Sequence, residues 1–216
     1  MTTCALVAAS DFNADHFKAL NDAGGFDYIV AVDAGFAYLE KLGVKPDLAI
    51  GDFDSLGYVP KARRVSKHPQ HKDQSDLELA LERVSTRRYS HVHVYGALGG
   101  RLDHTLANLQ LFALYAEQGF DITAIDMDCA LRVLVGPDAF DLPPFKSGTV
   151  SVFSVTDVSH GVSERGLEYP LDDADLTNRT SLGLSNELIG QEAAVSVAEG
   201  TLYVFYPLAD SAAVSE

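Results

Sequence analysis

The chain has 216 residues, 47% of them hydrophobic, and carries a formal net charge of −15 at pH 7. This length and apolar content allow a sizeable core in one large or two small domains, which argues against wholesale disorder. The negative charge argues against binding to nucleic acid or to an anionic membrane, because both depend on clustered Lys and Arg. A nucleotide stays possible, since a divalent cation screens phosphates and itself seeks carboxylate oxygens.

The sequence lacks the marks of a secreted or membrane-spanning protein. Cys4 and Cys129 are far apart and both lie in apolar segments, as expected of core residues in a reducing compartment. No segment approaches 18 apolar residues, and the N-terminal MTTCALVAAS lacks the basic opening of a signal peptide. We therefore expect a cytoplasmic protein.

Short apolar runs alternate with longer amphipathic stretches up to about residue 126. We interpret the runs as strands: Ala5–Ala9, Tyr28–Val32, Leu48–Ile50, Val92–Tyr95 and Ile122–Ile125. Such alternation of strands and helices predicts an α/β domain with a mostly parallel sheet.

Two helices between these runs are well marked. Ser75 to Glu78 forms a capping box, and the residues that follow place one apolar set on a single helical face: Leu77, Ala80, Leu81 and Val84. The second helix is predicted from Arg101 to Glu117, with this set on its apolar face: Leu102, Leu106, Leu109 and Ala113.

From about residue 130 the pattern changes to short segments rich in Ser, Thr and Val, interrupted by Gly or Pro. Thr149–Val155 alternates as a strand does, while Ala194–Ala198 and Thr201–Tyr206 flank Glu199-Gly200 as in a tight hairpin. This texture predicts an all-β C-terminal domain. We therefore divide the chain into an α/β domain over residues 1–128 and a β-domain over residues 129–216.

Acidic side chains follow the predicted strands. Asp52 and Asp54 come after Leu48–Ile50, and in an extended chain their carboxylates would point to the same side, about 7 Å apart at Cα. Two carboxylates that close repel each other unless a cation lies between them, and open parallel sheets bind ligands at this edge. A solvated polar turn is the alternative interpretation of the pair. Asp33, which follows Tyr28–Val32, could equally be a helix N-cap.

Other polar residues lie at the starts of the two marked helices. Asp76 has a structural explanation, because a negative charge is stabilised at the positive end of a helix dipole. Gly99-Gly100 leads from a strand into the second helix, where free backbone N–H groups can bind an anion. Arg101 adds donors for phosphate oxygens and shares a helix face with His104 and Asn108. The alternative is a tight turn followed by a polar helix face.

These elements together resemble the thiamine pyrophosphokinase family. The segments that match, in the order found in the family, are VDAG, KPDLAIGDFDSL, KDQSDLELAL and GALGGRLDHTLANLQL, followed by GLEYPL (166–171) and GLSNELIG (183–190). The resemblance implies an α/β catalytic domain that binds ATP and Mg²⁺, followed by a β-sandwich. It also implies transfer of the diphosphoryl group of ATP to the thiamine hydroxyl, with AMP as the second product.

The resemblance also implies roles for individual residues. The catalytic aspartates would be Asp33, Asp52, Asp54 and Asp76, of which Asp52, Asp54 and Asp76 would bind magnesium, and Asp33 or Asp76 would accept the hydroxyl proton. ATP would be bound by Gly99, Gly100 and Arg101, with His104 and Asn108 on the same helix face. Thiamine would contact Asp103, Ser185 and Asn186. A homodimer with active sites in clefts between subunits is implied as well.

Two other functions stay open on the sequence alone. A magnesium-dependent phosphohydrolase would use Asp52 and Asp54 as nucleophile and acid, but such enzymes carry the pair after the first strand, whereas here it follows the third run. A non-catalytic nucleotide sensor would bind ATP without forming AMP.

Overall fold

The computed structural model describes residues 2–69, 73–86, 89–143 and 145–208. The chain divides into two compact units. Unit 1 comprises Met1–Tyr115 and Phe120–Met127, and unit 2 comprises Ala116–Gly119 and Asp128–Glu216. Lys72, in the KDQSDLELAL segment, lies outside the described residues.

Unit 1 is built on parallel strands with helices between them. The strands are β1 (Thr3–Val7), β2 (Tyr28–Val32), β3 (Leu48–Gly51), β4 (Val65–Lys67), β5 (His91–Tyr95) and β6 (Asp121–Ile125). The helices are α1 (Ala14–Asp22), α2 (Gly35–Lys41), α3 (Asp76–Ser85) and α4 (Leu102–Glu117). The strands lie in the order β6-β5-β1-β2-β3-β4, and every neighbouring pair is parallel. Their carboxyl ends therefore meet at one edge of the sheet.

The five strands predicted for this half are confirmed within two residues at each end. The central strands β1, β2 and β3 are buried over nearly their whole length, as expected of a parallel sheet covered on both faces. The short β4 was not predicted, because its three residues are partly or largely exposed and carry no apolar run.

Helix α3 forms as the sequence predicts. Ser75 is its N-cap, and its side chain accepts a hydrogen bond from Glu78 N at 3.1 Å, a contact that contributes about 1 kcal/mol. The four predicted apolar residues are all buried: Leu77, Ala80, Leu81 and Val84.

The predicted apolar face of α4 is confirmed only at its C-terminal end. Ala113 is buried and Leu109 half-buried, whereas Leu102 and Leu106 are 81% and 56% exposed. The helix carries apolar side chains on more than one face, so leucine spacing alone does not decide which face reaches the core. The start of α4 consequently presents leucines to solvent.

Unit 2 contains two antiparallel sheets. Its strands are β7 (Cys129–Val135), β8 (Asp138–Asp141), β9 (Gly148–Ser154), β10 (Val158–Arg165), β11 (Leu171–Thr177), β12 (Asn186–Leu188), β13 (Ala194–Val197) and β14 (Thr201–Pro207). One sheet has the order β12-β9-β14-β7 and the other β11-β10-β13-β8. All pairs within them are antiparallel.

The two sheets of unit 2 form a β-sandwich around a shared core. Val150 and Val152 of β9 and Val204 of β14 pack in one cluster with Val162 of β10 and Val195 of β13. The predicted all-β class is therefore confirmed, as is the alternation along β9.

The predicted hairpin around Glu199-Gly200 is wrong. β13 pairs with β8 and β10, whereas β14 pairs with β7 and β9, so the two strands belong to different sheets. Gly200, with φ 105°, makes the corner between the sheets. A turn signal between two strands does not reveal whether the strands pair or change sheet.

The two cysteines, both expected to be core residues, differ in burial. Cys4 is buried, as expected, and Cys129 is half-buried. Among the described residues, no helix is both long and apolar enough to cross a bilayer.

Candidate active site

A cavity of about 490 Å³ lies at the carboxyl edge of the sheet in unit 1. Segments that follow three strands contribute to its lining: residues 8–11 after β1, Asp33 after β2, and residues 96, 97 and 99–101 after β5. The start of α3 adds Ser75 to Leu77, and α4 adds His104 and Asn108. This is the edge at which open parallel sheets bind ligands.

Two glycines allow these segments to converge on the end of β1. A Cβ atom on Gly35 would lie 2.0 Å from the carbonyl oxygen of Val7, so α2 begins in direct contact with β1. Gly96, with φ 63°, lies almost as close to Ala8, whose carbonyl oxygen would be 2.4 Å from an added Cβ. Any larger residue at either position would push the cavity walls apart.

Three aspartates from separate segments meet beside the cavity. Asp33, Asp52 and Asp76 each offer a carboxylate oxygen, and these oxygens lie within 4.8 Å of one another. All three residues are half-buried. Asp33 adopts φ 47°, its Oδ2 accepts a hydrogen bond from Ser55 Oγ at 2.8 Å, and its Oδ1 is buried without a partner.

This acidic cluster fits a divalent cation. Carboxylates that close repel each other, and a buried carboxylate oxygen without a hydrogen bond costs free energy; a hard cation relieves both. Magnesium prefers such oxygen ligands. Asp33, which was not among the predicted magnesium ligands, belongs to the cluster itself.

Asp54 is not brought into this cluster. β3 ends at Gly51, and Phe53 adopts φ 61° with its ring buried. Asp52 Oδ1 accepts a hydrogen bond from Asp54 N at 3.0 Å, so the chain turns back instead of continuing as a strand. The predicted extended arrangement of the pair is therefore wrong, and the Asp54 side chain is exposed.

The glycine loop after β5 and the start of α4 offer hydrogen-bond donors for an anion, in contrast to the carboxylates of the acidic cluster. Gly99 and Gly100 have φ values of 77° and 62°. Arg101 is exposed and donates to Asp103 through Nε at 3.1 Å and Nη2 at 2.6 Å. These bonds lower the pKa of Asp103 to about 2, so this carboxylate is ionised at neutral pH. Asp103, predicted to face thiamine, is paired with Arg101 in this structure.

The other two predicted ATP residues line the cavity together with this loop. Asn108 Nδ2 donates to the carbonyl oxygen of Ala97 at 2.7 Å, which ties α4 to the loop. His104 lies one turn earlier on the helix and is exposed toward the cavity.

Three further residues line the cavity that the sequence interpretation did not select: Ser10, Asp11 and Tyr38. A Cβ on Gly99 would lie 2.4 Å from Asp11 Oδ2, and one on Gly100 would lie 2.9 Å from Ser10 Oγ. The β1–α1 segment therefore packs directly on the glycine loop. Ser10 and Asp11 follow a predicted strand, so the rule that selected Asp33 could also have found them.

The two residues predicted to contact thiamine from unit 2 differ in accessibility. Ser185 is exposed, adopts φ 58°, and its backbone N–H donates to Ser151 Oγ at 3.0 Å. Asn186 is only 4% exposed. Its Nδ2 donates to Glu164 and to Tyr169 O, and its Oδ1 accepts from the backbone N–H groups of Tyr169 and Glu187.

The amide of Asn186 thus uses its full hydrogen-bonding capacity within unit 2. A direct contact with a ligand, as predicted for this residue, is not what the structure supports. The sequence does not reveal that Asn186 is buried while Ser185 is exposed, because both residues belong to the same GLSNELIG motif.

Two family models match the chain. Residues 23–124 match the catalytic domain of thiamin pyrophosphokinase, and residues 140–202 match the vitamin B1 binding domain of thiamin pyrophosphokinase. The chain is also 30% identical over 181 residues to thiamine pyrophosphokinase of Bacillus subtilis, a match that covers 80% of this chain and 84% of that relative.

Solved structures show the same similarity in three dimensions. The crystal structure of thiamine pyrophosphokinase from Bacillus subtilis is similar with a TM-score of 0.81 and 26% identity, covering 95% of this chain and 99% of that chain. That of thiamin pyrophosphokinase from Geobacillus thermodenitrificans has a TM-score of 0.80 and 27% identity, covering 97% and 99%.

Proposed function

The chain belongs to the thiamin pyrophosphokinase family, and we propose that it transfers the diphosphoryl group of ATP to the hydroxyl of thiamine. The products are thiamine diphosphate and AMP. The observation that carries this proposal is the acidic cluster beside a cavity that is also lined by Gly99, Gly100 and Arg101. Carboxylates for a cation and donors for phosphate thus lie around one space.

In the reaction, the hydroxyl oxygen of thiamine forms a bond to the β-phosphorus of ATP. The bond between the β-phosphorus and the oxygen bridging to the α-phosphate breaks, and AMP leaves with that oxygen. The hydroxyl proton passes to a carboxylate. Asp33 and Asp76, the two members of the acidic cluster that line the cavity, are the candidates for this acceptor.

Asp33, Asp52 and Asp76 are the residues that would hold Mg²⁺. A bound magnesium ion supplies charge neutralisation on the phosphate chain, which is the main requirement of phosphoryl-type transfer. Asp54 is left out of this set because its exposed carboxylate lies outside the cluster. His104 and Asn108 line the same cavity and stay proposed nucleotide contacts.

Arg101 would bind the phosphate chain by exchanging one anion for another. The side chain of its present partner, Asp103, is 66% exposed, and exposed ion pairs contribute little to stability. A phosphate can therefore replace the carboxylate at small cost, and two parallel donors suit phosphate oxygens well. Once released, Asp103 would be free to attract cationic thiamine, the role that the resemblance implies.

Thiamine would complete its site with Ser185, and we propose that a second copy of the chain supplies this residue. Apolar side chains are exposed both at the start of α4, at Leu102 and Leu106, and beside Ser185, at Leu182 and Leu184, which are 50% and 53% exposed. Exposed apolar patches of this kind mark interaction surfaces. A twofold dimer that brings the α4 patch of one copy against the Ser185 patch of the other would cover both patches twice.

The test is to incubate the protein with ATP, Mg²⁺ and thiamine and to quantify nucleotides and thiamine species, with thiamine omitted as the control. AMP and thiamine diphosphate in equal amounts support the proposal. Inorganic phosphate released without thiamine would indicate the phosphohydrolase instead. Binding of ATP with no product would indicate the sensor.

A further inference from the structure

The exposed turn formed by residues 182–185, here called the serine turn, has an unusual backbone. Gly183 and Ser185 adopt φ values of 91° and 58°. The turn is attached to β9 by two hydrogen bonds, from Val152 N to Gly183 O at 2.9 Å and from Ser185 N to Ser151 Oγ at 3.0 Å. Since a serine in this conformation is strained, other contacts must hold it.

Asn186, directly after the serine turn, supplies the anchor below it. Besides the bonds to Tyr169 and Glu187 described above, its Nδ2 donates to Glu164 Oε2 at 2.7 Å. Asn186 is therefore joined to β10 and to the loop that contains Tyr169, while its backbone begins β12. The position of Asn186 fixes the end of the turn.

Glu164 is an unexpected residue at this place. It is 0% exposed, and among the described residues it is the one carboxylate side chain that is buried. Its Oε1 is buried and has no hydrogen-bond partner. A Cβ on Gly183 would lie 3.2 Å from this oxygen, so the carboxyl group lies directly against the serine turn. Burial raises the pKa of Glu164, and the bond from Asn186 opposes this rise.

Stability of the sandwich does not account for Glu164. A buried carboxyl group with a single hydrogen bond loses more hydration than it regains, and an apolar side chain of similar size is commonly the more stable choice in a core. The carboxyl group of Glu164 does fix the orientation of the Asn186 amide, because it accepts a hydrogen bond from Asn186 Nδ2.

We propose that Glu164 is a positioning residue, which through Asn186 holds the serine turn in the conformation that presents Ser185 to thiamine. The inference rests on the proposed function for the role of Ser185. It assigns Glu164 no contact with either substrate. Its effect is therefore confined to the affinity for thiamine.

The experiment compares Glu164→Leu with Glu164→Gln, which keeps an acceptor for Asn186. Ser159→Ala is the matched control, since Ser159 is equally buried on β10, five residues away, and bonds to Ser154 and the Thr201 carbonyl instead. Each variant is assayed for kcat, for KM of thiamine and of ATP, and for amide hydrogen exchange in residues 182–187.

We expect Glu164→Leu to raise the KM for thiamine about tenfold, the effect of about 1.4 kcal/mol. Its kcat and its KM for ATP should stay within about twofold, and exchange in residues 182–187 should accelerate. Glu164→Gln should restore most of the affinity, and Ser159→Ala should leave both readouts unchanged. If Glu164 served folding alone, Glu164→Leu would lower the amount of active protein without changing the KM for thiamine.

Two results would overturn the inference. One is unchanged exchange in the serine turn of Glu164→Leu. The other is faster exchange with an unchanged KM for thiamine, while Ser185→Ala raises that KM. If the wild-type protein forms no thiamine diphosphate, the proposed function fails, and the exchange rates alone then decide whether Glu164 holds the turn.

Discussion

The cavity of unit 1 and the serine turn of unit 2 place functional groups in different ways. In unit 1, parallel topology brings the ends of separate strands together, so Asp33 and Asp52 meet although 19 positions separate them in sequence. In unit 2, Ser185 is exposed on a turn that is held from below by buried polar groups. Topology determines the first site, whereas individual side-chain contacts determine the second.

On the proposed function, the two units would have different roles. Phosphate and cation would bind in unit 1, where the acidic cluster and the glycine loop lie beside one cavity. Unit 2, whose residues 140–202 match a vitamin B1 binding domain, would contribute to recognition of the vitamin. Variants of the acidic cluster and of Arg101 should therefore change kcat or the use of ATP, and variants of the serine turn should change only the KM for thiamine.

The largest expected effect comes from the acidic cluster. Asp33→Asn should lower kcat by about 10²–10³-fold. It removes a carboxylate that would hold the cation, and the positive charge of that cation stabilises the transition state. It should also abolish the increase in melting temperature that Mg²⁺ alone gives the wild type, since ion binding stabilises the folded state. Steady-state kinetics and thermal melts with and without Mg²⁺ measure both.

Asp54→Asn is the matched control for that experiment. Asp54 follows the same strand but its side chain is exposed and outside the cluster. Its loss of kcat should be smaller than that of Asp33→Asn, and the stabilisation by Mg²⁺ should persist. An equal loss of kcat in both variants would indicate that Asp54 binds the metal, as the extended-strand interpretation predicted.

The next effect concerns the phosphate contact. Arg101→Gln should raise the KM for ATP about tenfold or more, because a charged, two-pronged donor to phosphate is lost. Arg101→Lys keeps the charge but not the paired geometry, and should recover only part of the affinity. A change in the KM for thiamine alone would break the division between the two units.

A smaller effect tests the proposed dimer. Leu106→Glu, on the exposed start of α4, should convert the dimer to monomers in analytical ultracentrifugation and raise the KM for thiamine. Leu114→Glu is the comparison on the same helix, 47% exposed and two turns further from the cavity. A wild-type protein that sediments as a monomer while forming thiamine diphosphate would contradict the shared site.

The smallest effect is a pH dependence of stability that belongs to unit 2. Burial raises the pKa of Glu164 in the folded state. The folded state then retains a proton that the unfolded chain releases, so stability falls as pH rises above the usual carboxyl range. Glu164→Gln removes this pH-dependent contribution to the free energy of unfolding. Its melting temperature relative to wild type should be higher at about pH 7 than at about pH 4; a constant difference would contradict the raised pKa.

Much of unit 1 could be predicted from its sequence because the signals are local and periodic. The Ser75 cap and the apolar face of α3 depend on spacing alone, and both are confirmed. Strand ends, once identified, placed Asp33 and Asp52 at one edge, whereas Asp76, at the start of α3, was assigned to the metal only by the resemblance. The combination of these motifs also led to the correct family.

The errors arise where a local signal permits two backbone paths. Phe53 in a left-handed conformation turns Asp54 away from the strand direction, and nothing in GDFDS reveals this. Glu199-Gly200 is a corner between sheets and not a hairpin. The burial of Asn186 depends on Glu164, which is 22 residues away and carries no motif of its own. These features are decided by tertiary packing, which single-sequence patterns do not encode.

Transfer of an intact diphosphoryl group is tested most directly with ATP labelled with ³²P at the β-position, given to the protein with Mg²⁺ and thiamine. We expect all transferred label in thiamine diphosphate, with unlabelled AMP formed in equal amount. Label in ADP alongside unlabelled thiamine monophosphate, or in released phosphate or diphosphate beside unreacted thiamine, would contradict it.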